Sequence, residues 1–530
     1  MGLLRGVAAW TVLAATCAAA ILVTSPPAAA QRLRVGVAVE HSALDPHFHS
    51  TLPNAQVARH VFDPLVAQDA GQRLTPGLAL SWTMAEPTRW VLKLRPDVRF
   101  HDGRPFEAED AVASLRRAVS VEGSPGGYGT YLRAIESSRA VDATTLEIRT
   151  RAPAPTLPWD LTAIGMVQRT AIAAKPDAFN SGAAAIGTGP FRVVSWRKGE
   201  GLELARNSAW WGGAVPWEQV SIRPVPKEAA RVAALLAGDL DLVEAVPTTA
   251  LADLRRRPDV RLAEAVTSRV LFLALDSRRD PTPFVTAADG TPLSPNPLRD
   301  PRVRRAISLA IDRPALVAQV MEGAAVPAAQ LLPASYPGTS QTLEPDRHDP
   351  QAARRLLAEA GVPAGFGIVL HGPNGRYVND DRITVAIAGM LQRVGIRAQV
   401  ASLPGNVFKS RAAKQEFSLF LDGWSTETGD SALALRGLLA TPDPVRGWGG
   451  YNRSGYSNPA FDRALAAALA IGDDAARSRA LGEATEIAMK DAAMLPLYFQ
   501  RAVWASRPGI RYEARADEMT LAVAARPATP

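Results

Sequence analysis

One short strand near the end of the chain constrains its fold more than any other segment. Residues Asp300–Asp491 alternate helical and strand patterns and read as a complete α/β unit. The apolar run Leu495–Phe499 that follows is too short to build a new domain, so it has to join the sheet of an earlier one. The α/β unit is therefore predicted to be an insertion, with two chain crossings between two lobes, and two crossings form a natural hinge over a cleft.

The rest of the pattern predicts an α/β fold with partly parallel sheets. An opening strand is predicted from the shared parity of Leu33, Val35, Val37 and Val39, and a helix over Glu107–Val119 with Val112, Leu115 and Val119 on one face. Asp280–Pro297 holds five prolines and is predicted to be a surface loop or crossover. Further strands are predicted at Asp241–Val246, Val270–Leu275, Gly367–Leu370, Ile396–Val400 and Met494–Trp504. Three helices are predicted to begin with a cap and a proline, at Asp300-Pro301, Asp349-Pro350 and Asn458-Pro459.

The first thirty residues have the pattern of a secretory signal peptide. Arg5 precedes an apolar, alanine-rich run from Gly6 to Val23, and Ala28-Ala29-Ala30 supplies small residues for cleavage. Removal after Ala30 would leave 530 − 30 = 500 residues working in the periplasm, and a permanent membrane span is the weaker interpretation. Cys17 is the only cysteine. The residues before Cys17 fit a lipidation signal poorly. Removal of Cys17 with the signal peptide would exclude disulfides, thiolate zinc sites and a cysteine nucleophile from the mature protein.

The excess of basic over acidic residues does not predict a nucleic-acid partner. The formal charge is +7, or +6 without Arg5, and its excess comes from arginines scattered along the chain. Binding to nucleic acid or to an anionic surface needs clustered charge, and no run of five like charges occurs. A soluble protein with a basic, solvated surface is the favoured interpretation.

Several stretches, in order, resemble the family 5 extracellular solute-binding proteins, the dipeptide- and oligopeptide-binding receptors of ABC importers. They run over nearly the whole mature chain, and it is their order and spacing together that is specific. The stretches are Leu44-Asp45-Pro46, Leu74–Ala79 with Ser81-Trp82, Leu94–Phe106, Asp110-Ala111-Val112, Gly187–Phe191, Asn207 with Trp210-Trp211, Asp300–Arg304 and Ala310–Arg313.

The resemblance implies a two-lobed periplasmic binding protein of type II, the Venus-flytrap form, with an extra subdomain in the larger lobe. Residues 31–276 and 494–530 would form the larger lobe, 50–186 the extra subdomain and 277–493 the smaller α/β lobe. It also implies a monomer that encloses a small peptide or peptide-like solute and docks on an inner-membrane ABC permease, with no catalytic residue, metal or cofactor. Most of the shared motifs, including His101, Gly187–Pro190 and Trp210-Trp211, are expected to be structural.

Three charged residues are the first candidates for binding the solute. Arg376 follows a strand end, where open α/β sheets bind ligands, and peptide-binding relatives place a carboxylate-binding arginine in this context. The alternative is a surface arginine paired with Asp380 or Asp381. Asp430 is the nearest counterpart of the aspartate that meets the ligand's amino group, although the family's usual Asp-Pro-Asp-Asn-like run is here Asp430-Ser431-Ala432-Leu433, which leaves Asp422 as a competitor.

Aromatic and polar loop residues complete the candidate set. Trp424 sits at a strand end, and Trp448 and Tyr451 belong to a glycine-rich loop that would let rings approach a solute. Each of them could equally be lobe core or a helix entry. His41 and Ser42 follow the first strand and are predicted to line the larger lobe's side of the cleft.

Two alternatives remain open at this point. An exported hydrolase is disfavoured because neither a Gly-x-Ser-x-Gly elbow nor a His-Glu-x-x-His helix occurs, while Asp45, His47 and His49 could suggest a metal site. The second alternative keeps the fold and changes the cargo to an opine, a sugar conjugate, glutathione or a nickel chelate.

Overall fold

One hydrogen-bonded sheet of twelve strands runs through the molecule. The structure, a computed structural model, describes residues 32–426 and 428–528, so the predicted signal peptide lies outside the described residues. Two long antiparallel strands, Arg261–Leu275 and Leu495–Ser506, lie at the centre of the sheet. None of the described helices is both long and apolar enough to cross a bilayer.

The central strand pair joins the two halves of the molecule. Arg261–Val266 pairs with the end of Leu495–Ser506, and after a shift in register Val270–Leu273 pairs with its beginning. The first part lies beside strands near the N-terminus, because Leu242 pairs with Ser506, and the second part lies beside Leu419–Trp424. The predicted joining of the last strand to an earlier sheet is confirmed, and the strand pair has an irregular register between Val266 and Val270.

The predicted larger lobe is built on the N-terminal end of this sheet. Its opening strand lies parallel to two neighbours and buries Leu33, Val35 and Val37 against Trp504. The remaining strands are Phe191–Arg197, Gly201–Arg206, Gln219–Pro224 and Leu242–Val243, after the opening strand Arg32–Val37. The helices are Leu52–Val61, Pro176–Asn180, Glu228–Ala237 and Thr248–Leu254, and the chain ends in a pair of short strands, Ile510–Tyr512 and Ala525–Pro527.

The predicted extra subdomain has its own antiparallel sheet of four strands. Their order in space is Ala79–Glu86, Arg89–Leu94, Thr145–Thr150 and Ile135–Asp142, and Val66–Gln68 pairs separately with Leu74–Pro76. The helices are Ala108–Ala118, Gly129–Leu132 and Leu157–Asp160, the first of them closed by a capping box between Glu107 and Asp110. The predicted inward position of Val119 is wrong: it follows the last helical residue and is 55% exposed, while Ala111, Leu115 and Ala118 form the buried face.

The predicted smaller lobe alternates strands and helices as expected. Its strands are Val285–Thr286, Ala325–Pro327, Gly367–Asn374, Arg397–Pro404 and Leu419–Trp424. Its helices are Pro301–Ala310, Arg313–Ala315, Pro350–Glu359, Asp380–Gln392, Gly405–Ala413, Ser431–Ala434, Pro459–Leu469 and Asp474–Lys490, with π-helical turns at Leu316–Val320 and Leu435–Leu439. The three predicted caps are confirmed, because Asp300, Asp349 and Asn458 each accept a backbone N–H of the first turn at 2.8–2.9 Å.

Three sequence-based element bounds are corrected. The predicted strand Asp241–Val246 is only Leu242–Val243, since Ala245 has φ +47° and turns the chain out of the sheet. The predicted strand Val270–Leu275 begins earlier, at Arg261. The sequence pattern missed its first half because that half is only partly buried and lacks an apolar signature. The predicted loop Asp280–Pro297 contains the short strand Val285–Thr286, which pairs with Gly367 and Ile368.

Candidate functional site

Two parallel strands of the predicted smaller lobe end where the chain meets the predicted larger lobe. Gly367–Asn374 and Leu419–Trp424 lie side by side with Leu370 opposite Leu419. Just past the first strand, Asn379 donates to the hydroxyl of Thr248 at 3.1 Å. Just past the second, Gln72 donates to the carbonyl oxygen of Thr426 at 3.0 Å. The carboxyl ends of these strands therefore face the other lobe, the position at which open α/β sheets bind ligands.

A cluster of four charged side chains and one tyrosine occupies this edge: Arg376, Lys409, Asp422, Arg453 and Tyr377. The Tyr377 hydroxyl donates to Asp422 at 2.8 Å and accepts from Arg376 Nε at 2.8 Å, and Arg453 forms an ion pair with Asp422 at 2.6 Å. Partial desolvation and the positive charges of Arg376 and Arg453 lower the pKa of Lys409. Three cations, Arg376, Lys409 and Arg453, lie near two carboxylates here, Asp422 and Asp380, which leaves a surplus of positive charge at the strand ends.

Arg376 does not pair with an acidic side chain among the described residues. Its side chain is exposed and contacts Tyr377, whereas Asp380 accepts the backbone N–H groups of Arg376 and Tyr377 at 2.9 and 3.0 Å. Asp380 therefore contacts the main chain of Arg376 and not its side chain. The guanidinium of Arg376 is left available to bind an anion. Asp422, by contrast, already accepts three donors, since Gly423 also donates to it at 2.9 Å.

The aromatic candidates Trp424 and Tyr451 lie together. Their rings are 5.1 Å apart in an edge-to-face arrangement, Tyr451 is 48% exposed, and the Trp424 Nε1 atom is buried with no partner among the described residues. The loop that carries Trp448 and Tyr451 packs on the turn Leu435–Leu439, because Gly449 donates to the Arg436 carbonyl and Tyr451 to the Gly437 carbonyl, both at 2.9 Å. Arg446 lies 5.2 Å above the Trp448 ring.

Asp430 follows Trp424 in the same loop region and is buried, with 3% of its surface exposed. It caps the helix Ser431–Ala434 by accepting from the Ala432 N–H at 2.6 Å. Burial raises the pKa of Asp430 to about 6, against the opposing effects of that hydrogen bond and of Arg477 and Arg436. One carboxylate oxygen of Asp430 is thus committed to the helix cap.

Sequence reasoning missed two residues, Asp160 and Arg436. Asp160 ends a short helix of the predicted subdomain and is 9% exposed, and burial raises its pKa to about 7. The charges that act on it belong to Arg436 and Asp430, which lie in the predicted smaller lobe. No periodicity or spacing could have connected them, because 270 or more residues separate the two segments.

His41 and Ser42 lie against other residues of the predicted larger lobe. His41 is 4% exposed, lies 4.6 Å from the Trp196 ring, and burial lowers its pKa to about 4. Its Nε2 atom is buried without a partner in the described part of the chain. Ser42 is exposed and donates from its N–H to Asn54 at 2.9 Å. The structure does not bring these two residues into contact with Arg376, Trp424 or Asp430.

The shared motifs prove to be packing and turn residues. His101 accepts the Gly187 N–H at 3.3 Å, and its other ring nitrogen lies 3.0 Å from the Gly189 carbonyl, so the histidine holds this turn. A Cβ atom on Gly187 would lie 1.9 Å from the Val61 carbonyl oxygen, which explains why glycine occurs there. Trp211 donates to Asp63 at 2.7 Å in the same region.

The candidate metal site of Asp45, His47 and His49 is a buried ion pair. Arg117 donates to both oxygens of Asp45 at 2.7 and 2.6 Å and to His47 Nδ1 at 3.1 Å. His47 Nε2 lies 2.8 Å from the Gly165 carbonyl, so both ring nitrogens are already engaged. No group of three potential metal ligands occurs among residues 32–426 and 428–528.

Comparison with known proteins gives one consistent result. The family model described as bacterial extracellular solute-binding proteins, family 5 Middle, matches residues 73–443. The "Glutathione-binding protein GsiB" of Escherichia coli O1:K1 / APEC is 27% identical over 497 residues, which is 92% of each chain. The structure of HbpA2 from Haemophilus parasuis superposes with a TM-score of 0.80 at 22% identity, over 94% of this chain and 100% of that one. The structure of DppA from Helicobacter pylori in complex with the peptide STSA superposes with a TM-score of 0.73 at 22% identity, over 94% of this chain and 98% of that one.

Proposed function

We propose that this chain, which belongs to the bacterial extracellular solute-binding proteins of family 5, captures a peptide-like solute with a free carboxylate for an ABC importer. The observation that carries the cargo proposal is the surplus of positive charge at the strand ends. Asp422 is already neutralised by Arg453, so the guanidinium of Arg376 and the ammonium of Lys409 have no carboxylate partner among the described residues. An anionic group of the solute would supply one.

Enclosure between the lobes has to provide most of the affinity. A charge-assisted hydrogen bond contributes about 1.5–3 kcal/mol, whereas micromolar binding needs about 8 kcal/mol. Arg376 therefore acts together with burial of the solute against the Trp424 and Tyr451 rings, which pack edge to face and offer apolar surface. Contacts between the lobes, such as Asn379 with Thr248, hold the closed form.

The proposal also covers place and partners. The protein works as a monomer in the periplasm after cleavage behind Ala30, releases its solute unaltered and presents the closed form to an inner-membrane permease. No nucleic acid takes part. The proposal also includes the lobe boundaries. Residues 31–276 and 494–530 form the larger lobe, 50–186 its extra subdomain and 277–493 the smaller lobe.

Glutathione is the first specific cargo to test. It is a tripeptide derivative with two carboxylates and one ammonium group, which suits a site with surplus positive charge, and a relative with 27% identity is named for it. A nickel chelate is less favoured, because Asp45 and His47 are committed to Arg117.

Calorimetry with a panel of solutes tests the function. The panel contains tri-alanine, tri-alanine amide, glutathione, an opine and a nickel–histidine complex, and mass spectrometry of the recovered solute checks for turnover. Saturable binding of tri-alanine or glutathione, with loss of affinity on amidation and no product, is the expected result. Binding of none of the peptide-like probes contradicts the cargo, and a chemically altered solute favours the hydrolase.

A further inference from the structure

The turn formed by residues 69–73 of the predicted extra subdomain is fixed by its own lobe. Within the turn, the Gln72 N–H donates to the Asp69 carbonyl at 3.0 Å. From outside it, the Ala516 N–H donates to the Ala70 carbonyl at 2.8 Å, and Ala516 belongs to the C-terminal part of the predicted larger lobe. Any movement of the larger lobe therefore carries this turn with it.

The side chain of Gln72 bridges the two predicted lobes. Its Nε2 atom donates to the Thr426 carbonyl at 3.0 Å, and its Oε1 atom accepts the Tyr336 hydroxyl at 2.8 Å. Both partners belong to the smaller lobe. Gln72 is 1% exposed and has φ +61°, a left-handed conformation that is uncommon for a residue other than glycine. Backbone strain at a buried, fully bonded side chain indicates a functional role.

The facing surface of the smaller lobe is shaped to accept this turn. Gly429 has φ +77°, and a Cβ atom there would lie 2.7 Å from the Gln72 carbonyl oxygen and 3.1 Å from Gln68 Nε2. Gln68 Nε2 donates to the Thr428 carbonyl at 2.8 Å, which adds a second hydrogen bond between the lobes. Only glycine at position 429 allows the two surfaces to approach this closely.

The residues that receive these bonds lie next to the candidate solute site. The Thr426 and Thr428 hydroxyls are 2.9 Å apart, and the Gly429 N–H donates to the Thr426 hydroxyl at 3.3 Å. In the chain, Trp424 precedes this group and Asp430 follows it. The position of the group therefore bears directly on the site.

We propose that Gln72 is a positioning residue for solute binding, which holds Thr426 in place from the larger lobe and stabilises the closed form. The inference rests on the proposed function in needing a bound solute, but it assigns this role to a residue that does not contact the solute. When the lobes separate, the Gln72 amide, the Tyr336 hydroxyl and the Thr426 carbonyl exchange their mutual bonds for water. The affinity for every solute then depends on Gln72 by the same factor, because the bonds favour closure and not a particular cargo.

Replacing Gln72 by leucine tests the bridge. The change keeps much of the side-chain volume and leaves the Thr426 carbonyl and the Tyr336 hydroxyl without partners in the closed form. We expect the affinity for each solute of the calorimetric panel that wild type binds to fall by about tenfold or more, and by the same factor for each. Stopped-flow fluorescence should assign the loss to faster dissociation, with the association rate almost unchanged.

Gln415 offers a matched control within one lobe. It too has a left-handed backbone, with φ +56°, and both ends of its amide are engaged. Arg278 donates to its Oε1 atom at 2.7 Å, and its Nε2 atom donates to the Asn452 carbonyl at 3.1 Å, all inside the predicted smaller lobe. Gln415→Leu should lower the melting temperature and leave solute affinity unchanged, so it separates lost stability from lost closure.

Replacing Tyr336 by phenylalanine tests the other end of the bridge. The change removes the hydroxyl and keeps the ring in its apolar cluster with Leu332 and Ala516. Affinity should fall by about fivefold, as expected for one hydrogen bond. The double variant with Gln72→Leu should bind no more weakly than Gln72→Leu alone, because the hydroxyl has then already lost its partner.

The outcomes distinguish this inference from the proposed function. If wild type binds tri-alanine or glutathione and Gln72→Leu binds it equally well, or loses no more affinity than Gln415→Leu, the inference is overturned and the proposed function stands. A loss confined to one solute also overturns it, because that result indicates direct contact with the solute. If wild type binds only the opine or the nickel–histidine complex, the proposed cargo falls and the same comparison on that solute decides the inference. Binding of no probe overturns both.

Discussion

Asn379 Nδ2 donates to Thr248 Oγ1 at 3.1 Å, a hydrogen bond between the two predicted lobes. Asn379 also donates to the Val320 carbonyl at 2.8 Å, so its amide is oriented by its own lobe before the other lobe arrives. The bond can therefore form with little loss of side-chain freedom when the cleft closes.

Replacing Thr248 by valine should weaken solute binding through closure alone. The change keeps the shape of the side chain and removes the acceptor, and one hydrogen bond contributes about 1 kcal/mol, or about a fivefold change in affinity. Calorimetry and small-angle scattering measure the affinity and the compaction. Thr248→Ser keeps the hydroxyl and should bind as wild type does; equal affinity in Thr248→Val would show that this contact is absent from the closed state.

Removing the guanidinium of Arg376 should affect binding and not stability. Its side chain is exposed and its guanidinium donates to the Tyr377 hydroxyl, so Arg376→Ala is expected to leave the apo melting temperature almost unchanged and to weaken a carboxylate-bearing solute by about tenfold or more. Arg397→Ala, at another exposed arginine of the same lobe, is the charge-matched control. Unchanged affinity in calorimetry would remove Arg376 from the site.

The buried pair of Asp45 and Arg117 should stabilise the fold rather than bind a metal. Their side chains are 0% and 4% exposed, so Asp45→Asn leaves an unpaired buried charge and is expected to cost about 3–5 kcal/mol. Asp259→Asn breaks a solvent-exposed pair and should leave the free energy of unfolding almost unchanged. Urea unfolding of both variants measures the difference, and stabilisation of wild type by added nickel would instead support the metal site.

The ionised form of Asp160 should destabilise the apo protein. Its pKa is raised to about 7 in the fold, so above pH 4 the unfolded chain holds fewer protons than the folded one and the free energy of unfolding falls as pH rises. Asp160→Asn should therefore raise the apo melting temperature, by about 1–3 °C at pH 8 for a chain of this size. The gain should shrink below pH 7 and vanish near pH 4, and a gain that does not change with pH would contradict the buried charge.

The local rules predicted the fold well where a residue's role depends on its neighbours in sequence. The caps at Asp300, Asp349 and Asn458 and the return of the last strand are of this kind, since capping and alternation act over a few residues. The predicted burial of Val119 was wrong because helix ends are set by tertiary packing as well as by periodicity. The electrostatic effect of Arg436 on Asp160 could not be found this way, because the two residues belong to distant segments of the chain. The ion pair of Asp422 depends on Arg453, which is 31 residues away.

The strand Leu495–Ser506 completes both lobes at once. It is the antiparallel partner of Leu242–Val243 at one end and of Ala325–Pro327 at the other. During synthesis, neither half of the molecule can close its sheet until almost the entire polypeptide has emerged. A chain built in this order completes its central sheet only after its last long strand has been made, although the predicted extra subdomain can pair its own four strands earlier.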